Sequence, residues 1–454
     1  MSESRRRFIK KAVLGTASMT VGTAAVSAGG VLPGVSARSY RRITGANEKI
    51  RVSVMGVNSR GKALARNFAL QENSEVAHIC DVDKRALAAC REALADRQSL
   101  VPEEYEDIRE SLESKDIDAL VIAAPDHWHA PAALMAMQAG KHVYVEKPCS
   151  HNPREGEILV EAARRYGKAV QMGNQRRSWP GVAEAIAELK NGIIGRPYFA
   201  RAWYANNRPP VHLVRNVPVP DWLNWELWQG PAPRKDYCEG WIHYNWHWFW
   251  HWGTGEALNN GTHFVDLMRW GLGVTYPVKV SSSGGRFRYQ DDWETPDTQV
   301  IGFEFKEGVA MSWEGRSCNG KDSEGTPVGL MFYGENGSML IPAGNSYTIF
   351  DLKDNVVKEV KPEETVSALD RANPAEVLDG FHIQNFFEGI RNRESLNTPI
   401  DSGHQSTLLV QLGNISQRVG RSLQIDPESG HILNDREAMK YWKRTYEPGW
   451  EMKL

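Results

Sequence analysis

The sequence predicts an α/β protein of two domains, and three observations predict it. Short apolar runs alternate with amphipathic helical segments from residue 50 to residue 173, the signature of a parallel sheet with crossover helices. A glycine turn, Gly56-Val57-Asn58-Ser59-Arg60-Gly61, separates the first run from the first helix, and an acid, Asp81, closes the second run. Beyond residue 195 the pattern changes to consecutive strands joined by tight turns such as Gly334-Glu335-Asn336-Gly337, as in an antiparallel sheet. The expected architecture is an N-terminal Rossmann dinucleotide-binding domain (47–195) plus an α+β C-terminal domain (196–454) with a large, mostly antiparallel open sheet.

Composition narrows the function. At 454 residues the chain exceeds a single core. A net charge of -2 argues against nucleic-acid binding, which needs a basic face. The five cysteines form no C-x-x-C pair and leave one unmatched, so no metal cluster is expected. At the N terminus, Ser4-Arg5-Arg6-Arg7-Phe8-Ile9-Lys10 is a twin-arginine pattern followed by an Ala/Gly/Ser-rich run, and residues 1–37 read as an export signal. The run is too weakly apolar for a stable membrane span. A periplasmic protein is therefore expected, folded and loaded with its cofactor before export.

The first strand, 50–55, runs into the glycine turn and a helix to about residue 71; strand 75–80 delivers Asp81. Gly56 and Gly61 permit a tight turn, and Asn58, Ser59 and Arg60 bring backbone to a helix N terminus that suits a pyrophosphate. Asn58 stands where a glycine is usual, and asparagine tolerates positive φ better than most residues. Asp81, 25 residues beyond Gly56, suits a ribose 2′-hydroxyl and repels a 2′-phosphate. The expected cofactor is NAD, with NADP disfavoured; Lys84 and Arg85 temper that preference.

A helix over 84–96 and a segment over 105–114 precede strand 119–124. Pro125 stops that strand, Asp126 to His129 read as a polar turn, and 131–139 as a helix with Pro131 in its first turn. Strand 142–145 then delivers Glu146-Lys147-Pro148. Ligands of open α/β sheets bind beyond the carboxyl ends of the strands. Pro125, Asp126, His129, Glu146 and Lys147 thus share one rim. Helix 153–166 and strand 169–172 bring Gln175 and Arg176 to the same edge, and helix 180–191 leads out.

In the second half, strands are expected at 197–204, 278–288, 298–305, 308–314, 328–333, 337–341, 347–351 and 356–360, with helices at 261–271, 374–393 and 403–420. Ten of the 16 tryptophans fall between Trp203 and Trp270. Flat aromatic faces suit the C–H faces of pyranose rings, and two or three of them, Trp246 included, are expected in the pocket; the rest staple an irregular loop to the sheet. His243, His247 and His251 recur at four-residue spacing, but no paired carboxylates lie near and no metal is expected.

The dinucleotide frame, the Glu146-Lys147-Pro148 loop and the distal Gly261-Thr262-His263-x-x-Asp266 helix together resemble the glucose–fructose oxidoreductase/inositol dehydrogenase (Gfo/Idh/MocA) family from about residue 49 onward. The resemblance implies that Lys147 is catalytic and that the C-terminal sheet forms homo-oligomers. The family places an aspartate four residues before the histidine; here the pair is Asn259 and His263. His263 becomes the candidate acid/base, with Asp266 a candidate to orient it. The implied activity is oxidation of a sugar, glycoside or related polyol at a ring carbinol. The alternative is a redox-neutral, NAD-dependent glycosidase, in which oxidation, elimination, hydration and re-reduction follow on tightly bound cofactor.

Overall fold

The computed structural model describes residues 49–361 and 374–454. The export segment expected at residues 1–37 lies outside them.

Six parallel strands form the first sheet in the order β3-β2-β1-β4-β5-β6. They are β1 (Ile50–Met55), β2 (Ser74–Cys80), β3 (Glu103–Tyr105), β4 (Ala119–Ile122), β5 (His142–Glu146) and β6 (Val170–Gly173). Every residue of β4 and β6 is buried, as apolar strands covered on both faces must be. The crossover helices are α1 (Arg60–Ala69), α2 (Lys84–Leu94), α3 (Ile108–Glu113), α4 (Asp126–Gln138) and α5 (Pro153–Tyr166). The order reverses between β1 and β4, which opens a crevice at their carboxyl ends.

Two local expectations are corrected. Residues 126–129 are not a turn but the first turn of α4, and Pro131 lies well inside that helix. A proline there cannot donate to the carbonyl four residues back, which is that of His127. Arg444 fills the gap: its Nη2 donates to His127 O at 2.6 Å. α5 follows local rules more closely. Asn152 Oδ1 accepts from Glu155 N at 3.2 Å, Pro153 opens the helix, and Gly167 closes it at φ +59°.

After α6 (Pro180–Lys190), strand β7 (Pro197–Ala205) begins the second sheet. A short helix α7 (Trp225–Gln229), a π-helical turn (Ala257–Gly261) and helix α8 (Thr262–Leu272) precede the rest. The further strands are β8 (Lys279–Gly285), β9 (Thr298–Glu304), β10 (Ala310–Arg316), β11 (Val328–Gly334), β12 (Ser338–Pro342), β13 (Tyr347–Phe350) and β14 (Val356–Val360). With helices α9 (Pro374–Arg391) and α10 (Ile400–Val419) and the short β15 (Leu423–Gln424), the nine strands run β14-β13-β12-β11-β7-β10-β9-β8-β15. All pairs given a register are antiparallel except β7 with β10. The fold class is therefore the expected one.

The core does not divide at residue 195. Phe386 and Phe387 of α9 are buried among Val52, Phe68 and Tyr144 of the first sheet's layer, and the last residues, Trp450 to Leu454, pack against α4 and its neighbours. The Trp-rich segment forms a core of its own: Trp225 stacks on Trp228 and Trp241, with Trp252 edge-on to all three. It is stapled to the rim of the parallel sheet. His127 Nε2 and Trp128 Nε1 both lie 3.0 Å from Trp228 O, and His243 Nε2 lies 2.7 Å from Asp83 Oδ2. Among the described residues no helix is long and apolar enough to cross a membrane.

Candidate active site

A cleft of about 660 Å³ runs along the carboxyl edge of the parallel sheet, from the turn after β1 to the π-helical turn before α8. Of the residues expected to bind cofactor or substrate, all but Gly61 line it. Gly61 acts from behind. A Cβ there would sit 1.8 Å from Gly56 O, and one on Gly56, at φ +81°, would sit 2.5 Å from Ala124 N. Both glycines let the turn press against the β4 loop.

The first half of the cleft fits a dinucleotide. No side chain caps the N terminus of α1, so its first-turn N–H groups are open to an anion. Asp81 is fixed by backbone: Val57 N donates to Oδ2 at 2.7 Å and Asp83 N to Oδ1 at 3.0 Å. Burial raises its pKa, although these N–H groups oppose the rise. Arg85 is drawn aside, bonded to Asp83 and lying 3.3 Å over the Trp222 ring. It is not free to favour a 2′-phosphate.

Arg60 spans the cleft floor. Its Nε donates to Glu146 Oε1 at 2.8 Å and its Nη1 to Asp379 Oδ2 at 2.6 Å; Gln175 Nε2 also donates to Glu146 Oε1 at 2.8 Å. Burial alone would raise Glu146, but Arg60 and Lys147 outweigh it and hold the carboxyl below its usual pKa. Glu146, Gln175 and Arg60 form one scaffold beneath Lys147. Asp379 comes from α9, 319 residues along the chain from Arg60, and no local signal could have announced it.

At the far end, Lys147 Nζ donates to Asn259 O at 2.7 Å and to its side-chain Oδ1 at 3.2 Å. Burial lowers the lysine's pKa, while Glu146 and Asp126 resist. Asn259 Nδ2 donates to Glu256 Oε1 at 3.2 Å, and Arg208 Nε donates to Glu256 Oε2 at 2.6 Å. Glu256 escaped the sequence reading, although its helical i, i+3 spacing from Asn259 was a usable signal.

His263 faces the cleft one helical turn beyond Asn259. Its Nδ1 is buried with no hydrogen-bond partner among the described residues. Burial first, then the charges of Lys147 and Arg176, hold its pKa well below the ordinary value. The imidazole is neutral at pH 7. The expectation that Asp266 orients it is corrected: Asp266 is bonded to Arg177 through both oxygens at 2.7 Å and to Ser406. A residue three positions on points along the helix toward α10, not back to the ring.

Of the tryptophans in the aromatic segment, Trp228 and Trp246 reach the cleft, Trp246 stacking on His247 at 3.6 Å; Trp128 and Trp179 reach it from outside that segment. The three spaced histidines diverge. His243 meets Asp83, His247 meets Tyr244 O and His251 meets Pro233 O.

A parallel sheet in the 3-2-1-4-5-6 order, joined to an open antiparallel sheet with a cleft between them, defines a two-domain dinucleotide-binding protein of the oxidoreductase type. The chain belongs to the Gfo/Idh/MocA oxidoreductase family: residues 50–174 match its NAD-binding Rossmann fold and residues 202–452 its C-terminal alpha/beta domain. Among curated proteins it is similar to glycosyl hydrolase family 109 protein 1 of Shewanella sp. (strain MR-4), 28% identical over 208 residues, covering 44% of this chain and 45% of that protein. It is also similar to an alpha-N-acetylgalactosaminidase of Shewanella oneidensis, 30% identical over the same length and the same shares. The chain thus spans less than half the length of the curated relatives it matches. Two solved structures share the fold. The WlbA dehydrogenase of Bordetella pertussis, in complex with NADH and UDP-GlcNAcA, gives a TM-score of 0.63 at 20% identity over 84% of this chain and 99% of that one. A levoglucosan dehydrogenase in complex with NADH and L-sorbose gives 0.65 at 17% identity over the same shares.

Proposed function

We propose that the protein is an NAD-dependent oxidoreductase that acts on a sugar, glycoside or related polyol at a ring carbinol. The observation that carries this reading is the Lys147–Asn259 contact, which brings the loop after β5 and the turn before His263 to one end of a cleft whose other end fits a dinucleotide. Bound NAD would supply a hydride acceptor. Lys147, donating from the rim, holds the reacting oxygen and stabilises negative charge as it develops there. His263, neutral, takes the hydroxyl proton at Nε2, the ring nitrogen that is not sealed off from the cleft. Trp246 and Trp179 offer faces to the sugar ring. The test is absorbance at 340 nm with a panel of sugars and methyl glycosides; no reduction of bound NAD by any of them would count against the reading.

A second reading has its own support in the family 109 and alpha-N-acetylgalactosaminidase relatives. In a redox-neutral glycosidase cycle a ring carbon is oxidised and the aglycone leaves by elimination. Water then adds, and the same hydride returns. Aglycone released from a chromogenic glycoside with no net NADH would select it.

Three further features belong to the same proposal. The twin-arginine pattern at Arg5 and Arg6 supports export to the periplasm. Export in turn supports a cofactor bound tightly enough to be recycled in place, and close to one NAD per chain after long dialysis is expected. Homo-oligomers through the nine-stranded sheet are supported by the stacked Phe199–Tyr333 pair and by exposed Val300; light scattering of the purified protein tests that.

A further inference from the structure

Arg176 is a cleft cation that the steps above leave unused. It follows β6 on the single 3₁₀ turn Gln175–Ser178, and its guanidinium lies 4.6 Å from the Trp179 ring and 4.8 Å from the Phe264 ring. Its Nη1 donates to Ala343 O; the other N–H donors make no hydrogen bond among the described residues and carry no carboxylate. None of its nitrogens is among the sealed polar atoms, so those donors open onto the cleft that the residue lines.

Its neighbours are treated differently. Arg60 meets Glu146 and Asp379, Arg177 meets Asp266, and Arg208 meets Glu256. A guanidinium taken partly out of water with no carboxylate in contact is costly; burial pushes Arg176 down to about 10, opposed only by Asp379, which is itself bonded to Arg60. Phe264, which it stacks on, is the residue after His263. Arg176 and His263 line the same cleft, and the charge of Arg176 is among those that depress His263, so an anion held by Arg176 lies near the reacting carbinol.

We infer that the substrate carries a carboxylate and that Arg176 receives it. The substrate class is a uronic acid or its glycoside, and Arg176 is the residue that selects it. A planar fork matches a carboxylate through two parallel N–H···O bonds, and a carboxyl on the ring's exocyclic carbon lies at the right remove from a ring hydroxyl. Trp179 and Phe264, whose rings lie 4.6 and 4.8 Å from the guanidinium, hold the planar fork in position. This assignment rests on the reading of the cleft as a sugar-binding site.

Calorimetric titration of the NADH-loaded protein tests it with matched ligands: glucuronate against glucose, galacturonate against galactose, mannuronate against mannose, and the three hexose 6-phosphates. The expected result is at least one pair in which the acid binds ten-fold or more tighter than the neutral sugar and tighter than the phosphate. Arg176→Gln should bring the acid-to-neutral ratio close to one, and Arg176→Lys should restore part of it; NADH content of each variant verifies folding. Equal binding of acid and neutral sugar in every pair, tighter binding of the phosphate, or an unchanged ratio in Arg176→Gln would overturn the assignment. Reduction of bound NAD by a neutral sugar, read separately at 340 nm, would leave the oxidoreductase reading standing. Failure of all nine ligands to bind would overturn the assignment, and the oxidoreductase reading falls with it only if no methyl glycoside reduces bound NAD either.

Discussion

Lys147 Nζ donates to both carbonyls of Asn259, backbone at 2.7 Å and side chain at 3.2 Å, so the aspartate usual at this position is replaced by a neutral acceptor that still holds the lysine. The ammonium is positioned without an ion pair in contact, and burial eases its proton loss. Lys147→Met should therefore abolish turnover while NAD content stays near that of the parent. Near-parental kcat in a folded variant would sink the assignment.

Asn259→Asp tests the same contact from the other side. A carboxylate there would hold the lysine proton more tightly, and the alkaline limb of the pH–rate profile should move up by about a unit or more. An unmoved limb would show that Lys147 does not set it.

His263→Ala should lower kcat by ~10²–10⁴, the usual worth of general acid–base catalysis. Because the folded pKa of His263 lies well below 6.5, the parent enzyme should hold its rate from pH 7.5 down to pH 6. A rise in KM alone would reassign His263 to binding.

Asp81→Ala should weaken NAD binding and narrow its preference over NADP, since Arg85 is already committed to Asp83 and Trp222. Dissociation constants for both cofactors decide it. If the parent binds NADP more tightly, the role given to Asp81 is wrong.

Stability should fall in mild acid. Burial holds His382 and His404 at about 4 in the folded chain, against 6.5 unfolded. As pH drops from 6.5 toward 4 the unfolded chain takes up protons that the folded chain refuses, so their stabilisation is present above 6.5 and lost across that window. The unfolding midpoint should drop steadily from pH 7 to pH 5; a flat profile would contradict it.

Arg444→Ala should cost about 3–5 kcal/mol, the usual penalty for leaving a buried charge unpaired. Arg444 Nε donates to the fully buried Glu155 at 2.7 Å while Nη2 serves the His127 carbonyl left open by Pro131. Urea midpoints of the variant and of Arg444→Lys give the comparison.

The sequence by itself determined the parallel and antiparallel sheets, the glycine turn, the acid after β2 and the lysine after β5. Each depends on a short-range rule: side-chain period, a turn that needs glycine, a cap, a strand end. It also placed His263 correctly on a helix, yet misassigned Asp266 and took the first turn of α4 for a loop. Only the tertiary structure decided those points. Pro131 is accommodated because Arg444 arrives 317 positions away to take the carbonyl, and Arg60 is held by Asp379 from α9. Asp266 turns to Arg177, which comes from the loop after β6. The aromatic segment likewise found partners beside both sheets, His127 and Asp83 at the rim of the parallel sheet and Trp293 and Glu294 between β8 and β9. The physical reason is common to all four. A buried charge or polar group must find a partner wherever the fold brings one, and that partner's position leaves no trace in the local pattern of residues.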